Sequence, residues 1–191
     1  MPRAMAILLT WNVAGRVGPN QERQIAALAG RAFDVLCLQE VTPRTRARWI
    51  GALEARGLHV AVSEWPVAPA GTRRFAVLVA SARPVTPQPG PELPWPERHL
   101  AVRTETGGRE VEVHTLNAPL SSKEELAKVR TLHGYGRRDR SWAMRTGFGW
   151  RLDHIVVSPG LEPVEADYVH EWRTERLSDH SALWARLEPD A

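Results

Sequence analysis

A single cysteine, Cys37, stands in 191 residues, so no disulfide can form within the chain. That excludes a disulfide-stapled secreted scaffold and fits a reducing compartment. Cys37 lies inside the apolar run Phe33 to Leu38 and reads as a buried, inert thiol rather than a nucleophile. Lysine is nearly absent, with only Lys123 and Lys128. No apolar run approaches the roughly 20 residues that cross a bilayer, and Met1 to Leu9 is too short and weakly charged for a secretory signal. The expectation is a cytoplasmic protein with no membrane partner. Internal repeats and linker-like composition are also missing, which favours one domain over residues 1–191.

Arginine is abundant: it supplies nearly all of the basic charge behind a net +3. It suits bidentate phosphate contacts, although a biased coding sequence would enrich it too. The arginines crowd between Arg130 and Arg151, where Arg137, Arg138, Arg140 and Arg145 face one acid, Asp139. Tyr135, Trp142, Phe148 and Trp150 are interleaved with them. Arginines for phosphate and rings for exposed bases make a nucleic-acid groove, and Arg145, Trp142 and Arg151 are its candidate substrate-binding residues. A solvated loop anchored by aromatics is the plainer alternative.

Apolar patterning predicts strands at Ala4 to Trp11, Phe33 to Gln39, His59 to Ser63, Arg74 to Ser81, Leu100 to Thr104, Glu110 to Leu116, Leu152 to Ser158 and Ala182 to Leu187. Helical spacing covers Gln21 to Arg31 and Thr42 to Arg56, the second with Thr42 as cap and Pro43 in its first turn. Ser121 to Arg130 opens like a further helix. Pro84 to Pro96 reads as a surface loop. Mixed elements with much antiparallel pairing predict two sheets face to face with helices outside.

Four polar motifs stand where predicted strands end or begin: Thr10 to Val13 (Thr-Trp-Asn-Val), Leu38 to Val41 (Leu-Gln-Glu-Val), Arg151 to His154 (Arg-Leu-Asp-His) and Ser178 to Ser181 (Ser-Asp-His-Ser). Strand ends can offer several polar groups to one point. Glu40 alone is an ordinary strand-ending charge. Beside Asn12 and Asp179 it becomes an oxygen ligand for Mg2+ or Mn2+, ions that take carboxylate, amide oxygen and water. Asp153 is placed to hold the His180 imidazole in one tautomer, as a carboxylate does beside a catalytic histidine. His114 alternates with Val111 and Val113 and therefore faces away from them, on a solvated face or in a site.

The ordered set of motifs resembles the endonuclease/exonuclease/phosphatase superfamily. It is carried by residues 10–15, 38–41, 113–119, 151–155 and 178–182, which nearly span the chain. The resemblance implies an α/β fold, a four-layer α/β/β/α sandwich of two mixed, largely antiparallel sheets. It implies metal-dependent hydrolysis of phosphodiesters or phosphomonoesters, with DNA or RNA as partner. By position, Glu40 matches the principal Mg2+ ligand, Asp179 a second metal-side carboxylate, and Asn12 an active-site amide near metal or phosphate. Asp153 and His180 match the Asp–His pair, and His114 a second active-site histidine. The Gly-Asp-X-Asn motif of the superfamily is absent, since the sequence contains no Gly-Asp pair. The stretch from His114 to Asp153 is correspondingly short, which implies that one internal strand–helix segment is missing. Two further readings stay open: a non-catalytic member that binds nucleic acid or protein, and a phosphatase acting on a lipid head group or small phosphate ester.

Overall fold

A computed structural model describes residues 5–64, 74–93, 96–117, 141–143, 149–150, 153–156 and 160–189. The first predicted strand and helix appear as β1 (Ala6–Asn12) and α1 (Pro19–Ala29), the second pair as β2 (Val35–Val41) and α2 (Pro43–Glu54). β1 and β2 run parallel, with Asn12 opposite Gln39. α1 makes the crossover that parallel neighbours require. Thr42 caps α2 through a reciprocal capping box with Thr45, and Pro43 sits at the first helical position, where its missing N–H costs nothing.

β3 (His59–Val62) pairs antiparallel with β4 (Ala76–Ser81), and β4 with β2. β6 (His99–Thr106) and β7 (Arg109–Leu116) form a hairpin closed by Gly107 and Gly108. Both glycines have positive φ, as the tight hairpin turn demands. β10 (Leu161–Val169) pairs with β11 (Ala182–Pro189), which pairs with β1. The result is a six-stranded sheet ordered β10-β11-β1-β2-β4-β3. A three-stranded sheet is ordered β5-β6-β7, with β5 at Thr86–Gln88, and β8 (Trp142–Ala143) pairs with β9 (Gly149–Trp150). This is the mixed α/β, two-sheet architecture expected.

One face of the large sheet packs Leu9, Trp11, Leu38 and Leu78 against Leu28 of α1 and Trp49 and Leu53 of α2. Each fully buried leucine there contributes roughly 1.5–3 kcal/mol. The other face packs Val35, Cys37, Val77 and Val79 against Leu100, Val102 and Val113 of the small sheet. Burial pushes the Cys37 thiol up to about 12, so it is inert as expected. Among the described residues no helix is long and apolar enough to cross a membrane.

Three expectations need correcting. The Pro84 to Pro96 loop contains a short edge strand, β5 (Thr86–Gln88), where Pro87 is tolerated because edges need fewer donors. Residues 153–156 of the predicted strand Leu152 to Ser158 have no regular structure. The strand beside β11 is instead β10, whose Glu162, Pro163, Glu165 and Asp167 hide it from apolar patterning. Its register shifts between Pro163 and Glu165, a bulge typical of a protected edge. A short helix, α3 (His170–Thr174), was also unanticipated. The predicted helix Ser121 to Arg130, and with it any outer layer on the small sheet, lies outside the described residues.

Candidate active site

Glu40 owes its direction to a backbone irregularity. β2 pairs with β4 through Leu38 and again at Val41, and the register shifts between them. Within this β-bulge Glu40 has φ 58, a left-handed conformation that costs a non-glycine residue about 1–2 kcal/mol. The bulge breaks the two-residue alternation of β2, and the carboxylate meets Asn12 at the end of β1. Glu40 is thus part of β2, not the residue after it. The preceding Gln39 is buried and donates to Thr10 Oγ1 (2.9 Å) and Thr115 Oγ1 (3.0 Å), spanning both sheets.

Asn12 ends β1 beside this bulge. Its Nδ2 donates to Glu40 Oε1 (2.9 Å), and its Oδ1 accepts from the Ala14 backbone N–H (2.9 Å). The backbone donor fixes the amide orientation. That bond uses one of the two lone pairs of Oδ1, and Nδ2 steadies the Glu40 carboxylate. The loop after Asn12 requires a glycine: Gly15 has φ +56, and a Cβ there would lie 2.8 Å from Thr42 Cγ2 at the cap of α2. Buried Gln24 of α1 ties the loop down, donating to Val13 O (2.9 Å) and Leu177 O (2.8 Å).

The Ser178–Ser181 turn is bolted to the end of β1. Ser178 Oγ donates to Asn12 O (2.7 Å) and accepts from His180 N–H (3.1 Å). Trp11 Nε1 donates to His180 O (3.2 Å). His180 Nδ1 lies 2.8 Å from Asp153 Oδ2 and 3.1 Å from Oδ1. Both side chains are only 10% exposed. This pair is the one expected, and it turns Nε2 away from Asp153. Asp153 sits in irregular chain yet is clamped twice: its N–H donates to Ser141 Oγ (3.0 Å) and its carbonyl accepts from Tyr168 Oη (2.7 Å). Burial alone pushes the His180 pKa down. The charge and hydrogen bond of Asp153, then the charges of Asp179 and Glu40, outweigh burial and raise it.

Asp179 is held from the other side. Trp142 Nε1 donates to Asp179 Oδ2 (3.0 Å), Ala143 N–H donates to Asp179 O (3.2 Å), and Trp142 bridges His180 in antiparallel fashion. Trp142, expected to bind substrate, is seen here holding a carboxylate. Arg16 Nη2 lies 3.9 Å from Asp179 Oδ1 with both side chains 42% exposed, placing a cation at the rim. Sequence reasoning missed Arg16, Ser141, Tyr168 and Gln24. Only Arg16 had a signal, four residues after Asn12 in the same loop.

His114 is not gathered into this cluster. β7 buries Val113 and Thr115 and turns His114 outward, where it bonds Glu112 and His99. No described hydrogen bond or ion pair joins it to Asn12, Glu40, Asp153, Asp179 or His180. The alternation with Val113 holds, and the solvated face is the outcome. Arg145 and Arg151 lie outside the described residues, as does most of the Arg130 to Arg151 segment.

The model for the Endonuclease/Exonuclease/phosphatase family matches residues 9–121. The chain belongs to that family. No curated protein matches the sequence. Solved structures of like fold include an AP endonuclease from Archaeoglobus fulgidus, 18% identical, with 94% of this chain and 98% of that one covered and a TM-score of 0.67. A variant of the 3′ phosphatase NExo from Neisseria, bound to a product DNA hairpin, is 20% identical, with 97% and 100% covered and a TM-score of 0.63. TDP2 from D. rerio, complexed with a single-stranded DNA product, is 13% identical, with 97% and 99% covered and a TM-score of 0.63. At these identities the likeness is one of fold.

The donors present fit a hard divalent cation. Asp179 Oδ1 accepts no hydrogen bond and has only the Arg16 guanidinium at 3.9 Å beside it, which leaves its lone pairs open to a metal ion. Glu40 supplies a second carboxylate. Among the described residues no three His, Cys, Asp or Glu side chains converge as a closed nest. One or two carboxylates with several waters is the manner of Mg2+ and Mn2+, and unlike that of structural zinc.

Proposed function

We propose that this protein is a divalent-metal-dependent phosphodiesterase that hydrolyses DNA or RNA. The observation that carries the reading is the meeting of Glu40, Asp179 and the buried Asp153–His180 pair at one end of the large sheet, where both Glu40 and Asp179 act on His180 electrostatically. Glu40 and Asp179 would hold Mg2+ or Mn2+, which would neutralise charge on a phosphate oxygen. His180, with Nδ1 fixed by Asp153 and its pKa raised, carries a proton on Nε2 for a phosphoryl oxygen. Asn12 holds Glu40 in line, and Trp142 holds Asp179. Arg16 offers a positive charge to the substrate backbone. The DNA products bound to the NExo and TDP2 relatives support nucleic acid as the substrate class.

The test is hydrolysis of labelled DNA and RNA by the purified protein with Mg2+. Cleavage is expected with either acid or both, and Glu40→Ala should lower it at least about 100-fold, the loss of several kcal/mol of charge stabilisation. Cleavage that survives chelation of all divalent metal would sink the reading. A non-catalytic binder is favoured by one observation, the lack of any Gly-Asp pair. It predicts retention of nucleic acid in chelator with no product under any metal.

A further inference from the structure

His114 was expected in the active site, and the structure gives it other company. In the β6–β7 hairpin, Ala101 pairs with His114 and His99 with Leu116, so His99 and His114 are diagonal neighbours on one face. Glu112, two residues before His114, shares that face. His99 Nε2 and His114 Nδ1 are 3.1 Å apart, and the ring centroids are 5.3 Å apart. His114 Nε2 lies 2.8 Å from Glu112 Oε1, and Arg103 Nη2 is 3.6 Å from the other carboxylate oxygen. We propose that His99 and His114 together bind one borderline transition-metal ion, Zn2+, Ni2+ or Cu2+, on the outer face of this hairpin, with Glu112 orienting His114.

Three features of the geometry carry this. First, Glu112 accepts a hydrogen bond from Nε2–H of neutral His114, which leaves the His114 lone pair on Nδ1, the nitrogen nearest His99. A carboxylate behind a ligating imidazole fixes its tautomer and raises its basicity. Second, His99 is preset. A Cβ on Gly90 would stand 2.6 Å from His99 Cε1 and 2.7 Å from Nδ1, so the ring lies edge-on against bare backbone and presents Nε2 to His114. Third, the spacing suits an ion. Two nitrogens at about 2.0–2.1 Å from one metal are roughly 3–3.4 Å apart at adjacent coordination positions, and 3.1 Å falls within that span.

The ion replaces the proton shared by the two rings. Neutral His99 takes the tautomer protonated at Nδ1, which frees its Nε2 lone pair, and His114 already offers Nδ1. No electrons are transferred, and water fills the remaining positions. With two protein ligands this site asks for no third converging side chain, in keeping with the lack of a three-ligand nest among the described residues. Imidazole nitrogens favour Zn2+, Ni2+ and Cu2+ over Mg2+, so the ligand class differs from that of the Glu40 and Asp179 carboxylates. Bound metal would tie β6 to β7.

The experiment is calorimetric titration of the full chain with Zn2+ in excess Mg2+. The native protein should bind one Zn2+ more than His114→Ala or His99→Ala. Gly90→Ala, which keeps both ligands, should weaken that binding at least tenfold. Equal stoichiometry and affinity in native protein and His114→Ala would overturn the proposal. Should the alanine variants misfold by circular dichroism, Cu2+ electron paramagnetic resonance of the native protein decides. Coupling to two nitrogens that is lost in His99→Gln supports the site, and a spectrum identical in both proteins refutes it.

Discussion

Two histidine–carboxylate pairs in this protein have the same length and opposite surroundings. His180–Asp153 and His114–Glu112 both span 2.8 Å. The first pair is 10% exposed on each side, the second 46% and 43%. Water screens the exposed pair, and its net worth is small. The buried pair feels Asp153, Asp179 and Glu40 together, enough to reverse the effect of burial on the imidazole. Distance alone does not distinguish the two pairs; the dielectric around each does.

Mutations that target each pair should separate them sharply. Asp153→Asn removes the main group that raises His180 and should give the largest effect among changes to the two pairs, at least a tenfold loss of nucleic-acid hydrolysis and about 2 kcal/mol of stability. The stability loss should depend on pH in chelated protein. A raised folded pKa means that His180 protonation stabilises the native state. That contribution is full below the unfolded value of about 6.5 and is lost as pH rises through the folded one. The gap in melting temperature between native protein and Asp153→Asn should therefore be widest near pH ~6 and narrow above neutrality. Trp142→Phe keeps the ring but removes the donor to Asp179 Oδ2. Raising the Mg2+ needed for half-maximal rate by about tenfold would fit a lost supporting bond, and an unchanged Mg2+ dependence would show that Asp179 needs no help. Glu112→Gln should be the quietest, with no measurable change in melting temperature or hydrolysis. A large loss there would mean that the hairpin face serves the same chemistry as the sheet end.

The sequence displayed most of what holds the site, for a physical reason. Parallel β1 and β2 are buried on both faces and read as continuous apolar runs, so their polar ends, Asn12 and Gln39–Glu40, stand out. The cap at Thr42 and the Gly107–Gly108 turn were local signals that packing did not override. β10 was hidden because an exposed edge strand needs no apolar face. The bulge that aims Glu40 left no trace in composition, since the strain belongs to φ and not to residue type. His114 is the instructive miss. Its alternation with Val113 placed it on the far face, and resemblance of the surrounding motif pulled it toward the site. The two-residue period was the better guide because it reflects backbone geometry, which a motif cannot alter.

Gln39 joins the two sheets. Its amide grips a threonine from each layer, one on β1 and one on β7, while its peptide bond leads straight into Glu40. The Glu40 carboxylate is thus seated one residue from a clamp that holds the two sheets together, so the same bonds that fix the layers against each other also fix the backbone from which it projects.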